Sequence, residues 1–335
     1  MKPLILGISG LSLSHDERRL LASADPAGVI LFARNIEDPV QVRALTDDLR
    51  RTLGRDDLAI LVDQEGGRVA RLGPPHWPAL PAARVFGELY ERAPLTGLEA
   101  ARLNAAVTGA MLANAGITVA CAPVIDVAAD GADNIIGDRA FSSDPVHVAS
   151  LGAATLRGLA EAGVVGIVKH MPGHGRAPVD SHTGLPVVEA SRDVLAADFH
   201  PFRQLAGAPM AMAAHVVYAA IDAGNAASVS PAVIGDVIRG DIGFAGLLVS
   251  DDIAMAALSG PLERRAAAVL AAGCDLALFC GGGLDDNARL CAAVGEITDD
   301  ARRRLGAAMA SVRRAETVLD SGRLLAARDA LMAAA

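Results

Sequence analysis

Cysteine is sparse in this chain. Cys121, Cys274, Cys280 and Cys291 are the only four in 335 residues, none stands in a C-x-x-C pair, and all lie in apolar segments. That pattern speaks for reduced core thiols and against a disulfide framework or a thiolate zinc site. Long hydrophobic runs are also missing: Asp, Glu, Arg or Pro interrupts every apolar stretch short of the ~20 residues that a membrane span needs. The opening MKPLILGISGLSLSHDERR holds Gly7 and Gly10 and no convincing cleavage site, so it reads as a first strand, and the cytoplasm is the expected compartment. No block of like charge occurs, and the net charge of −9 argues against a nucleic-acid surface and for a small ligand.

What the chain has is hydrophobic content, 52% of its residues, enough for a large core. Short apolar runs alternate with amphipathic segments from end to end. The strand candidates are 4–9, 28–33, 58–63, 117–125, 164–170, 210–216, 246–251 and 276–280. They are nearly continuous in apolar residues, as parallel strands covered on both faces must be. Between them, Asp38-Pro39 and Asp144-Pro145 offer an N-cap followed by proline at the first helical position, Thr96 with Glu99 fits a capping box, and Gly116 and Gly163 fit helix ends. Leu103, Val107 and Met111 recur as one buried stripe. Eight such units predict a single-domain (β/α)8 barrel over 1–335, with a helix fraying from about 324. A doubly wound sheet is the alternative, weakened by the lack of a G-x-G-x-x-G after the first strand.

Chemistry in such a barrel sits where the strands end, so the polar residues there are the ones to inspect. Three of the eight histidines, His170, His174 and His182, fall within the fifteen residues 168–182. Asp180 and His182 stand two apart, close enough for the carboxylate to fix the imidazole tautomer and leave its other nitrogen to exchange a proton with substrate; an Asx-turn beside a surface histidine is the plain alternative. The seventh run ends in Ser250-Asp251-Asp252, where adjacent residues face opposite ways. Asp251 is the expected nucleophile and Asp252 a loop hydrogen-bonder. Asp63, Glu65, Arg68 and Arg71 suit a hydroxyl-rich ligand, or a rim salt-bridge network. Trp77 is expected to anchor its Pro-rich loop at 72–81, Cys280 to Gly283 to form a tight turn, and His215 stays undecided.

Together, Asp63-Gln64-Glu65-Gly66-Gly67-Arg68-Val69, Lys169-His170-x-Pro172-Gly173-His174-Gly175, Asp180-Ser181-His182 and Ser250-Asp251-Asp252 resemble the bacterial β-N-acetylglucosaminidases of glycoside hydrolase family 3, in the same order and over nearly the whole chain. The resemblance implies a retaining exo-β-N-acetylglucosaminidase with Asp251 as nucleophile and His182, paired with Asp180, as acid/base. It further implies that Asp63, Arg71, Arg139, Lys169 and His170 contact the terminal N-acetylglucosamine. The substrate it implies is the N-acetylglucosaminyl-1,6-anhydromuropeptide of cell-wall recycling, and it implies no cofactor or metal; a monomer is the expected state. Met171 departs from the aromatic or aliphatic residue usual at its position. The β-glucosidase branch draws its acid/base from a glutamate outside the barrel, which fits this Asp-Ser-His chain less well.

Two other readings stand beside this one. A metal-dependent barrel hydrolase would ligate its ion through His170, His174, His182 and Asp251, although His170 and His174 are separated by Pro172 and Gly173 and so do not share a helix face. A catalytically silent barrel that senses muropeptides would need the binding residues alone.

Overall fold

The computed structural model describes residues 1–312 and 319–334. Eight parallel strands close into a barrel: β1 (Lys2–Gly7), β2 (Pro26–Leu31), β3 (Ala59–Val62), β4 (Val119–Ala120), β5 (Val165–Met171), β6 (Met210–Ala213), β7 (Leu247–Asp252) and β8 (Leu276–Phe279). Each pairs with the next in the chain, and β8 returns to β1 with Ile5 opposite Leu278. All eight apolar runs are therefore barrel strands, and the expected (β/α)8 architecture is the one observed. The fourth run is the least regular, because Pro123 has no N–H to give the ladder and pairing resumes only at a bridge between Val124 and Lys169.

Strand alternation divides the apolar residues between two cores. Leu4 and Leu6 pack in the layer beneath the helices, whereas Ile5 lies inside the barrel with Leu61, Val165, Ile167 and Leu247. Ile297 and the helix Asp299–Ala310, which sends in Ala301, Leu305 and Ala308, join that interior cluster, which plugs one end and leaves the strand C-terminal end for a site. No helix among the described residues is long and apolar enough to cross a membrane.

The proline-led helices begin as expected. Asp38 Oδ1 accepts from the amides of Val40 and Gln41, both at 2.8 Å, ahead of the helix Pro39–Leu53, and Asp144 does the same ahead of Pro145–Glu161. The Thr96–Glu99 box does not form. Its helix starts at Pro94, whose preset φ suits the first position, so Thr96 lies inside the helix and Glu99 instead accepts from Arg102 at 2.8 Å. That helix, Pro94–Asn114, is also buried well beyond one stripe, because it is packed by Pro145–Glu161 and by the terminal helix Ser321–Ala334. On the terminal helix Arg328 is buried with Nη1 2.7 Å from Asn104 Oδ1, so the segment expected to fray is docked.

Candidate active site

The strand ends surround a cleft of about 200 Å³ lined by Asp63, Arg71, Arg139, Lys169, His170, His182 and Asp251, all expected to act there, together with Glu65, His174 and Ser181. Asp180, the remaining expected residue, stands behind His182.

Five charged side chains form its floor. Lys169, near the end of β5, bridges two carboxylates, with Nζ 3.0 Å from Asp63 Oδ1 and 2.7 Å from Glu65 Oε1. Each carboxylate holds an arginine in turn: Asp63 Oδ2 is 3.2 Å from Arg71 Nη2, and Glu65 meets Arg139 through two bonds of 2.7 and 2.8 Å. Burial opposes ionisation of Glu65, but Lys169 and Arg139 reverse the balance and bring it to about 2. Lys169 is driven the opposite way, its pKa raised despite burial by Asp63 and Glu65. Glu65 is thus the network's centre, while Asp63 and Arg71 keep more exposed edges for a ligand.

The hairpin of Gln64–Gly66 with Val69–Ala70 sets which arginine reaches the cleft. Gln64 Oε1 accepts from the amides of Arg71 and Leu72, both at 2.9 Å, closing the hairpin under Arg71. Arg68 points elsewhere. Its Nη2 donates to the carbonyls of Asn134 and Ile135 at 2.6 and 2.8 Å and its Nε is 3.1 Å from Asp138. Arg68 therefore staples the loop that carries Arg139 and does not line the cleft, because the turn at Gly66 and Gly67 sends it out over that loop.

His170 is held by a residue that sequence reasoning missed. Asp126 is fully buried; its Oδ2 lies 2.7 Å from His170 Nδ1 and its Oδ1 accepts from the amides of His170 and His174 at 3.1 and 2.6 Å. The signal was present, since Asp126 directly follows the fourth apolar run. The Lys169–His170 peptide is cis, and both side chains line the cleft.

At the end of β7, Asp251 Oδ1 accepts from the Asp252 amide at 2.8 Å, and among the described residues nothing donates to its Oδ2. Burial alone would raise the Asp251 carboxyl, but the His170 and His215 imidazoles, the Asp252 amide and the Lys169 ammonium outweigh it and hold it below the ordinary aspartate range. Asp252 binds loop backbone as expected, accepting from Ala254 N at 3.0 Å and Cys280 N at 3.1 Å. His215 is structural: Nδ1 is 2.6 Å from Ser228 Oγ and Nε2 3.0 Å from the Asp252 carbonyl, and burial keeps its pKa low. Trp77 is buried in the main core, and the turn of Cys280–Gly283 packs against the end of β1, where a Cβ on Gly282 would press on the Ile8 carbonyl.

The β5–β6 connection carries Asp180 and His182. Asp180 Oδ1 lies 2.8 Å from both the amide N and the ring Nδ1 of His182, so an Asx-turn and a carboxylate–imidazole pair are built from the same oxygen. Burial is the largest single influence and raises the Asp180 carboxyl, but the two bonds to His182 and its charge together pull it below its ordinary value. With Nδ1 engaged, the His182 ring, 61% exposed, leaves Nε2 free for a proton donor or acceptor role. The three cleft imidazoles are each engaged separately: His170 by Asp126, His174 by Ser181 at 3.3 Å and His182 by Asp180. Among the described residues no group of three His, Cys, Asp or Glu side chains is disposed to hold a metal ion.

Known proteins resemble this chain over most of its length. Residues 5–315 match the model of the glycosyl hydrolase family 3 N terminal domain. A β-hexosaminidase of Alkalilimnicola ehrlichii is 43% identical over 283 residues, 83% of this chain and 80% of that protein. One from Aromatoleum aromaticum is 40% identical over 83% of this chain and 79% of that protein. The crystal structure of native NagZ from Neisseria gonorrhoeae superposes with a TM-score of 0.85 at 33% identity, covering 99% of this chain and 96% of that one.

Proposed function

This chain belongs to glycosyl hydrolase family 3, and we propose that it is a retaining exo-β-N-acetylglucosaminidase using Asp251 as nucleophile and His182, oriented by Asp180, as acid/base. The observation that carries the reading is one cleft holding a carboxylate with an unengaged oxygen and an imidazole whose other nitrogen is tied to a carboxylate. The β-hexosaminidase names of its relatives supply the sugar class.

In the first step Asp251 attacks the anomeric carbon and the bond to the leaving oxygen breaks as His182 Nε2 delivers its proton to that oxygen. Asp180, anionic, stabilises the imidazolium before transfer. In the second step water attacks the glycosyl-Asp251 ester, His182 takes the water's proton, and N-acetylglucosamine leaves with its configuration retained. Asp63, Arg71, Arg139, Lys169 and His170 hold the sugar hydroxyls and acetamide; Lys169 and His170 also flank the nucleophile. Two carboxylates are the usual pair in retaining glycosidases, and here the histidine takes the place of one.

The proposed natural substrate is the N-acetylglucosaminyl-1,6-anhydromuropeptide, cleaved by a monomer in the cytoplasm with no cofactor or metal. The test is release of aryl leaving groups from an N-acetyl-β-glucosaminide beside the matching β-glucoside. Hydrolysis of the first alone, lost in Asp251→Ala, is expected. Equal hydrolysis of both, or full activity in the variant, contradicts the reading.

A further inference from the structure

Between Asp180 and His182 lies Ser181, which does not share their environment. His182 projects outward, whereas Ser181 is 2% exposed. Its Oγ is 3.3 Å from His174 Nε2, and its carbonyl accepts from the Ala257 amide at 3.2 Å, on the loop that follows Asp251. His174 is a rigid anchor. Its amide is held by Asp126 at 2.6 Å, and burial with the nearby His170 lowers the pKa of its imidazole. Its Nδ1 is buried without a partner, so the tautomer that strands no donor places the proton on Nε2, facing Ser181.

We propose that Ser181 is a positioning residue, a latch through which His174 and the Asp251 loop hold the acid/base over the cleft. The proposal rests on the functional reading above. The Asp180–His182 pair is internally rigid, because one carboxylate oxygen binds both the amide and the ring, but nothing in that pair fixes its distance from the nucleophile. The bonds of Ser181 do. The Oγ contact ties it to the base of its own loop, and the carbonyl contact ties it to the strand end that carries Asp251. Further anchors hold the loop's stem and not its tip: Tyr218 Oη donates to the Gly173 carbonyl at 2.7 Å, Arg176 pairs with Asp198 at 2.8 Å, and Val217 N donates to the Pro186 carbonyl at 2.9 Å. The tip from 180 to 183 is pinned to other elements through Ser181.

A misplacement of an acid by ~1 Å can cost ~10²-fold where its proton is needed and nothing where it is not. Ser181→Ala removes one oxygen. The measurement is kcat/KM, which reports the bond-breaking step, on two N-acetyl-β-glucosaminides: a 2,4-dinitrophenyl one that leaves unaided and an alkyl one that needs the proton. The variant is expected to hold the first within ~3-fold of wild type and to lose ~10-fold or more on the second, general-acid catalysis being worth ~10²–10⁴-fold. Azide, which attacks the glycosyl-enzyme without a base, is expected to raise kcat on the dinitrophenyl substrate in the variant more than in wild type. Equal losses on both substrates, or no loss, overturn the latch. An inactive wild type overturns the functional reading instead, so the two failures are separate. If the alanine variant does not fold, Ser181→Cys, which leaves no void and puts a larger, weaker hydrogen-bonding group at the same atom, carries the same comparison.

Discussion

Asp126 grips His170 at two points, its Oδ1 3.1 Å from the histidine's amide and its Oδ2 2.7 Å from the ring Nδ1. The carboxylate thereby fixes both where the ring sits and which nitrogen faces the cleft. Asp126→Asn keeps the shape but offers a donor where the ring needs an acceptor, and kcat/KM is expected to fall ~10²-fold with most of the stability retained. Asp126→Ala also strands the buried amides of His170 and His174 and is expected to cost at least ~2 kcal/mol in urea unfolding. Near-normal kinetics in Asp126→Asn would show that the ring's orientation does not matter.

The adjacent aspartates separate chemistry from architecture. Asp251→Ala is expected to reduce kcat by ~10³-fold or more, with the fold intact by circular dichroism. Asp252→Ala leaves the Ala254 and Cys280 amides without their acceptor and is expected to lower stability by ~1–3 kcal/mol while activity persists. The reverse pattern would transfer the nucleophile's role to Asp252.

His182 is exposed and, among the described residues, hydrogen-bonds to Asp180 alone. His182→Ala is therefore expected to leave the melting temperature unchanged while slowing hydrolysis of a poor leaving group by ~10²–10⁴-fold. Retained turnover on such a substrate would remove it as acid.

Two buried imidazoles predict a pH limb of stability. Burial lowers the pKa of His174 and His215 below the ordinary 6.5. Below pH 6.5 the unfolded chain takes up protons that the folded one refuses, so stability is full above that value and falls as the pH drops through it. Melting temperatures from pH 8 to 5 are expected to decline below about 6.5, and His215→Gln, which takes no proton, is expected to flatten the slope. A flat profile in the parent protein contradicts the assignment. A second limb belongs to Glu65, brought to about 2 from 4.5: its contribution is present above 4.5 and lost as the pH falls toward 2.

Gly175 has no room for a side chain, since a Cβ there would overlap the Val127 carbonyl oxygen. Gly175→Ala is expected to cost ~1–3 kcal/mol by overpacking and to shift the loop that carries His182, read as a lower melting temperature and a reduced kcat together.

The barrel was legible because a strand buried on both faces, such as Leu4 to Gly7 with Ile5 inside and Leu6 outside, leaves a continuous apolar run, and eight such runs alternate with amphipathic segments. The residues at the strand ends were legible for the same reason. Asp126 went unread although it follows the fourth run at once, since its partners His170 and His174 lie 44 and 48 residues further along the chain and no local spacing marks the pairing. Residue type and spacing alone did not separate Arg68 from Arg71, which only the family resemblance singled out, because a hairpin with a register shift decides which one enters the cleft. Thr96 and Glu99 matched a cap by spacing alone, and Pro94 set the helix start. The pairing of Ser181 with His174 crosses a turn-rich loop and leaves no periodic trace.

The central claim is that Asp251 forms a covalent bond to the sugar. The most direct test uses an activated 5-fluoro glycosyl fluoride of N-acetylglucosamine, which slows the second step so that the ester accumulates, followed by peptide mass spectrometry. The account predicts one added glycosyl residue on the peptide containing Asp251 and none in Asp251→Ala. Turnover of ordinary substrate with no adduct, or an adduct on another residue, would contradict it.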